Sequence, residues 1–297
     1  MLADAPAVEI AGSVVASYAR RTTGAVDSGI ITLTTDFGVR DAYVGIMKGV
    51  IAARAPQAQV IDISHLVSPQ CIREGAFLLH TAYPYFPPGT VHVGVVDPGV
   101  GTARRAVALD VPGVGRFVGP DNGLFAYVLD AYPDCAAREI ANPAFMRLPV
   151  SRTFHGRDIF APAGAALRAG APFAEIGPAF DPVTLVRLPD LWPDWRGQEI
   201  AGEVVHVDHF GTLVTNIPRA RFAALAPAEL AALRIEAGGL TVRGLRETFG
   251  DAAPGEVIAL FGSSGFLEVA RVNGRAARSL PGATLDTEVG APARVSR

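Results

Sequence analysis

The chain has 297 residues, 49% of them hydrophobic and 19% charged, with a formal net charge of −3. That balance builds a packed globular core and excludes a disordered chain. It also gives no basic footprint for nucleic acid or an anionic membrane. Two cysteines, Cys71 and Cys135, are too few for a disulfide framework and point to a reducing cytoplasm.

No apolar run reaches the roughly 18–20 residues of a membrane span. The mildly apolar start, "AVEIAGSVVASYARR", lacks a basic beginning, carries Asp4 and Glu9, and places its arginines after the run, unlike a signal peptide. Residues 1–29 are expected to be an extension outside the fold.

The ordered pattern begins at "GIITLTTDFG", a β-branched strand running into Asp36 and Gly38. "DAYVGIMKGVIAARAP" follows as a helix, with Val44, Met47, Val50 and Ile51 at helical spacing and Pro56 as the stop. "AQVIDISH" reads as a second buried strand, "CIREGAFLLHTAYPYFP" as a second helix and "GTVHVGVVDPG" as a third strand. Such alternation predicts a parallel sheet covered by helices. "RAVALDV" and "GRFVGPDNG" then form two short strands around the turn Pro112–Gly115, and "LFAYVLDAY" a helix capped by Asp121 or Asn122. "GRDIFAPAGAALRAG" is a further helix despite Pro162, with Arg157 and Asp158 in a solvated first turn.

Closely spaced prolines in "LPDLWPDWRG" mark a linker, placed at residues 191–198. The rhythm then changes to short alternating strands broken by glycines, from "EIAGEVVHVDHFGTLVTNI" to "TLDTEVGAPARV". The expected fold is therefore α/β: an N-terminal domain over residues 30–190 with a mostly parallel central sheet, and a smaller C-terminal antiparallel β-barrel or sandwich over 199–297.

Ligands of open parallel sheets bind beyond the carboxyl ends of the strands. Asp36 and Asp97 stand there, each beside glycine, suited either to ribose hydroxyls or simply to capping a turn. "GVGTARR" lacks the Lys-Ser/Thr ending of a phosphate loop, and no GxGxxG opens a helix. His155, before a glycine at a helix start, can act as a base, donate a hydrogen bond, or serve only as a helix-start residue. Asp208 and His209 end a strand before a Phe-Gly turn and Thr212, Thr215 and Asn216. Ser263, Ser264 and Gly265 form a turn able to hold a carboxylate, followed by Arg271 and Asn273; an ordinary hairpin explains either stretch equally well. The six histidines show no metal-ligand spacing, and no GxSxG elbow is present.

Taken in order, "TLTTDFG", "DAYVGIMKGVI", "VIDISH", "FPPGTVHVGVVDPGVGTARR", "VGPDNGL", "TFHGRDIFAP", "DHFGTLVTNI" and "SSGFLEVARVNG" resemble one family from about residue 30 to the C-terminus. It is that of the S-adenosylmethionine hydroxide adenosyltransferases, relatives of fluorinases and chlorinases. The resemblance implies an α/β domain followed by a β-barrel, and a cytoplasmic homotrimer. Its active sites would lie where one subunit's N-terminal domain meets its neighbour's C-terminal domain. It implies displacement at C5′ of S-adenosyl-L-methionine by water, giving adenosine and L-methionine without metal or cofactor. Asp97, Arg104 and His155 match the residues around the nucleophilic water, with Asp97 or His155 as base. Asp36 would take the ribose hydroxyls and Phe154 line the substrate. Asp208 would pair with the methionine ammonium, Ser263 and Ser264 with its carboxylate, and the segment Arg271 to Asn273 would lie along the adenine. Thr212 stands where the family often has an asparagine that bonds the nucleoside.

A halogenase is the rival within the family, and Asp97 opposes it, because a carboxylate repels a halide. The long insertion of halogenases after the strand matching "RAVALDV" is also replaced here by "PGVG". A non-catalytic S-adenosylmethionine or adenosine sensor would not need the Asp97, Arg104 and His155 set. A methyltransferase is disfavoured by the lack of its glycine-rich loop.

Overall fold

A computed structural model of the chain describes residues 29–277 and 289–297. The expected N-terminal extension therefore lies, except for Gly29, outside the described residues. The chain divides into two compact units, one ending at Leu188 and one running Pro189–Arg297.

The first unit alternates strands and helices: β1 (Ile30–Thr35), α1 (Tyr43–Arg54), β2 (Gln59–Ser64), α2 (Ile72–Ala82) and β3 (Thr90–Val95). A hairpin of β4 (Ala106–Val111) and β5 (Gly115–Pro120) follows, then α3 (Ala126–Ala131), β6 (Ala136–Glu139), α4 (Ala161–Arg168) and β7 (Ala179–Phe180). The strands form one seven-stranded sheet in the order β2-β1-β3-β5-β4-β6-β7. β2, β1, β3 and β5 run parallel, joined by crossovers, whereas the short turn after β4 forces β4 and β5 antiparallel. β6 and β7 continue the antiparallel edge.

β1 and β3 are buried along their whole length, as central strands with both faces covered must be. One face packs Ile31, Leu33, Val91 and Val93 against Met47 and Ile51 of α1 and Phe160 and Leu167 around α4. Gly164 lets α4 come close, since a Cβ there would sit 2.7 Å from Val93 Cγ2. The other face is covered by Leu79, Leu124 and Val128. β2, expected to be buried, is instead a partly exposed edge strand, and its Asp62 pairs with Lys48 at 2.6 Å.

Two local expectations are corrected. Neither Asp121 nor Asn122 caps α3, which starts at Ala126 with no side-chain cap. Asp121 instead accepts from Arg105 Nε at 2.9 Å and from the Val186 N–H at 2.9 Å, while Asn122 donates to the Val96 carbonyl at 2.8 Å. The helix after His155 opens with a π-helical turn, Gly156–Phe160, that runs directly into α4, with Pro162 just past the junction where the wide turn passes into the α-helix.

The second unit is antiparallel. β8 (Trp195–Arg196), within the stretch expected as a linker, pairs with β9 (Glu199–Val207). β10 (Leu213–Pro218), helix α5 (Pro227–Ala232), β11 (Arg234–Ala237), β12 (Leu240–Arg243), β13 (Val257–Phe261), β14 (Phe266–Arg271) and β15 (Pro292–Ser296) complete it. The order β12-β11-β15-β9-β10-β14-β13, with β12 approaching β13, makes a nearly closed barrel. Its core is built from Ile200, Val204, Leu213, Ile217, Ile235, Leu267, Val269 and Val295. Closure of this kind removes the exposed edges on which sheets aggregate.

Candidate active site

The carboxyl end of β3 carries Asp97, and the chain then turns through Pro98–Gly101 to bring Arg104 back. Arg104 Nε donates to both Asp97 oxygens, at 2.9 and 3.1 Å, and its Nη2 donates to Oδ2 as well. The pair is largely withdrawn from solvent, with side-chain exposures of 10% for Arg104 and 5% for Asp97. The same Nη2 lies 2.7 Å from His155 Nδ1. Phe160 supports the guanidinium from below, its ring centre 5.2 Å from Arg104 Cζ.

Two glycines make this turn possible. Gly99 leaves room for the Arg104 stem, whose Cγ would be 3.3 Å from a Cβ at that position. Gly101 has φ +76° and faces the Arg152 carbonyl so closely that a Cβ would approach it to 2.3 Å. The turn is thereby pressed against the segment that leads into His155.

The turn that follows His155 is anchored by a residue whose role the sequence did not disclose. Asp158, expected in a solvated turn, is wholly buried. It accepts from Arg157 Nε and Nη2 at 2.8 Å each, from Arg147 Nη1 at 3.3 Å and from the Ser151 N–H at 2.8 Å. Burial pushes its carboxyl upward, but the Arg157 and Ser151 bonds outweigh this and hold it below the ordinary 3.8.

The histidine itself is pushed below its ordinary 6.5, first by burial and then by the Arg104 charge. A guanidinium carries only donors, so Nδ1 must be the acceptor of the Arg104 contact and a neutral ring carries its proton on Nε2.

Asp36 stands after β1, where its Oδ2 accepts from the Gln70 N–H at 2.8 Å. Burial raises its carboxyl above 3.8, and the charge of Asp97 adds to the rise, so both carboxylates belong to one end of the sheet. Phe154 forms an aromatic cluster with Phe37 and Tyr43, at centroid distances of 5.8 and 5.2 Å.

In the second unit, Asp208, Thr212, Ser263, Arg271 and Asn273 line one cleft of about 850 Å³. Asp208 Oδ1 accepts from the Thr212 N–H at 2.7 Å, which ties the turn through Gly211 into a loop. The Arg271 guanidinium is committed to backbone, donating to the carbonyls of Arg275 at 3.1 Å and Gly255 at 2.8 Å. Asn273 takes a left-handed conformation, φ 51°, that turns the chain after β14. Ser264 sits in the hairpin beside Ser263 but does not line the cleft. Glu268, Arg275 and the exposed Phe210 and Phe249 also line it, and sequence reasoning singled out none of them. Glu268 had a readable signal, an acid interrupting the apolar strand "FLEVA".

Among the described residues, no three histidine, cysteine or acidic side chains converge as a metal site, and no helix is long and apolar enough to cross a membrane.

Residues 31–177 match the SAM hydroxide adenosyltransferase N-terminal domain, and residues 202–288 match its C-terminal domain. The chain belongs to the SAM hydroxide adenosyltransferase family. An "(R)-S-adenosyl-L-methionine hydrolase" of Salinispora tropica is 46% identical over 86% of this chain and 94% of its own. One from Salinispora arenicola is 45% identical over 83% and 92%. A fluorinase of an Actinoplanes species is more distant, 28% identical over 82% of this chain and 90% of its own. The crystal structure of an uncharacterized conserved protein from Thermotoga maritima superposes with a TM-score of 0.80 at 36% identity, covering 90% of this chain and all of that one.

Proposed function

We propose that this member of the family is an S-adenosyl-L-methionine hydrolase that forms adenosine and L-methionine. The observation that carries the reading is the Arg104 bridge between Asp97 and His155, largely withdrawn from solvent, in a chain of this family.

Water attacks C5′ in line with the C–S bond. The O–C5′ bond forms as the C5′–S bond breaks, and the sulfonium leaves as a neutral thioether that needs no proton. The difficult part is the nucleophile. Arg104 stabilises developing hydroxide, and holding the water in line removes an entropic barrier of several kcal/mol, on the order of 7. Since His155 Nδ1 is occupied by Arg104, its free nitrogen donates and orients rather than accepts. The water's proton therefore goes to Asp97, which thereby acts as general base.

Asp36 receives the ribose hydroxyls, and Phe154 packs on the substrate. Asp208 pairs with the ammonium, and the hairpin of Ser263 and Ser264 takes the carboxylate, with Ser263 presenting its side to the cleft and Ser264 behind it. Asn273 and the backbone from Arg271 follow the adenine, and Thr212 supplies the contact that asparagine makes elsewhere in the family. Because Arg271 donates its guanidinium to carbonyls, its contribution to the nucleoside is through backbone.

We further propose a cytoplasmic homotrimer, supported by the family resemblance and by the large apolar side chains Val39, Tyr43, Ile46 and Leu66 exposed on the first unit. Sedimentation of the full chain at three times the monomer mass is the expected result.

The deciding assay incubates purified protein with the separated sulfonium epimers of S-adenosyl-L-methionine in ¹⁸O-water, with and without fluoride or chloride. Expected is adenosine labelled at its 5′ oxygen and indifferent to halide. Given the relatives' names, the (R) epimer is the expected substrate. A 5′-halogenated nucleoside would make the chain a halogenase, and bound but unconverted substrate would make it a binding module.

A further inference from the structure

The cleft of the second unit contains a carboxylate that the proposed reaction leaves unused. Glu268 lies opposite Leu260 of β13 and Val214 of β10, and Val214 in turn lies opposite His206 of β9. Residues directly paired across an antiparallel sheet share a face. The alternate positions Leu267, Val269, Ala259 and Leu213 fill the barrel core, so Glu268 projects from the other face and joins the lining of the cleft with Asp208.

Space has been left for it. A Cβ on Gly262 would fall 1.7 Å from Glu268 Oε1, so any larger residue there would displace the carboxylate. Among the described residues no side chain donates a hydrogen bond to it; the cleft's two arginines donate to the carbonyls of Arg275, Gly255 and His209, and Arg275 Nη2 has no partner. Burial, and then the charge of Asp208, push Glu268 up to about 7, against a smaller opposing effect of His206. The other charged or titratable groups around the cleft are His209, Glu247, Arg271 and Arg275.

We propose that Glu268 is a specificity-determining residue that forms, with Asp208, a two-carboxylate receptor for the α-ammonium of S-adenosyl-L-methionine. The inference rests on the hydrolase reading and on the assignment of Asp208 to the amino end. Two acids facing one cleft repel each other, and an incoming ammonium relieves that repulsion. In the empty cleft near neutral pH, Glu268 holds a proton part of the time. Binding of the ammonium expels that proton to solvent, so substrate affinity increases with pH until Glu268 is ionised.

The test is steady-state kinetics between pH 5.5 and 7 with S-adenosyl-L-methionine and with its desamino analogue, in which hydrogen replaces the ammonium. For the wild type, KM for S-adenosyl-L-methionine should fall several-fold per pH unit, while KM for the analogue stays flat. In Glu268→Gln, KM at pH 7 should rise about tenfold and lose its pH dependence, the effect falling on KM rather than kcat. Gly262→Ala displaces the carboxylate without removing it, so KM should rise with the pH dependence kept; this variant carries the test if Glu268→Gln does not fold. A wild-type KM that is flat over this range, or a Glu268→Gln profile parallel to that of the wild type, overturns the proposal. Absence of any turnover by the wild type would overturn the hydrolase reading instead.

Discussion

Arg104 Nη2 and His155 Nδ1 lie 2.7 Å apart, and this contact determines what the histidine can do. An arginine cannot accept a hydrogen bond, so the imidazole must, which leaves Nε2–H as its outward-facing group. His155 is then an orienting donor and Asp97 the proton acceptor. Its pKa, lowered first by burial and then by the Arg104 charge, agrees with this, because protonation would set a second cation against the guanidinium.

The acid limb of kcat/KM for the desamino analogue, whose binding does not depend on Glu268, checks this assignment. His155 stays neutral below pH 6.5, so activity should persist below that value and decline as pH falls through the depressed value. His155→Gln, which retains a donor, should cost about tenfold in kcat. A limb centred above pH 6.5 that disappears in this variant would instead identify the histidine as base.

Asp97→Asn keeps the shape of the carboxylate and removes its basicity. The expected loss in kcat is about 10²–10⁴-fold, the usual size of a general-base contribution. Adenosine binding, measured by calorimetry, should survive within a few-fold. A variant that kept most of its rate would return the base role to His155.

Gly101→Ala tests whether the turn must press against the His155 segment. The added methyl would meet the Arg152 carbonyl at 2.3 Å in a backbone conformation that alanine adopts only under strain. The contact between Arg104 and His155 should open, lowering kcat about tenfold or more with a smaller change in KM. Unchanged kcat in a folded variant would show that the turn tolerates displacement.

Asp158→Asn should act on stability. It removes a buried charge that satisfies Arg157 and the Ser151 N–H, at a cost of about 1–3 kcal/mol, seen as a Tm lowered by several degrees. The folded-state pKa lies below 3.8, so the wild type keeps this contribution above that pH and loses it as pH falls through the lower folded value. The variant's stability should therefore vary less with pH below about 4. An equal acid slope in both proteins would assign the effect to another group.

Much of the first unit was legible because its signals are local. The crossover pattern from Ile30 to Val95 and the hairpin around Pro112–Gly115 follow from apolar runs and breakers a few residues apart. The burial of β2 was misjudged because an edge strand and a central strand can share a composition and differ only in their neighbours. Asp121 was misread because its partners, Arg105 and Val186, are 16 and 65 residues away. Asp158 looked solvated for a different reason: its partners lie within 11 residues, but a buried acid bonded by arginines resembles a surface ion pair in sequence. Glu268 was passed over because neither its cleft nor the room left by Gly262 exists until β13 and β14 are paired.

By itself the sequence determined the kind of fold, the family it resembles and the residues worth watching. Alternating apolar patterns, glycine turns and ordered motifs are properties of neighbouring residues. Only the tertiary structure decided which of those residues act on one another. Arg104 and His155 are separated by 51 positions and meet because β3 and the turn before α4 end on the same side of the sheet. The tautomer of the histidine, the burial of Asp158 and the upward shift of Glu268 all depend on the polarity and exclusion of water around a group. Those surroundings come from distant segments packed together, and no local pattern specifies them.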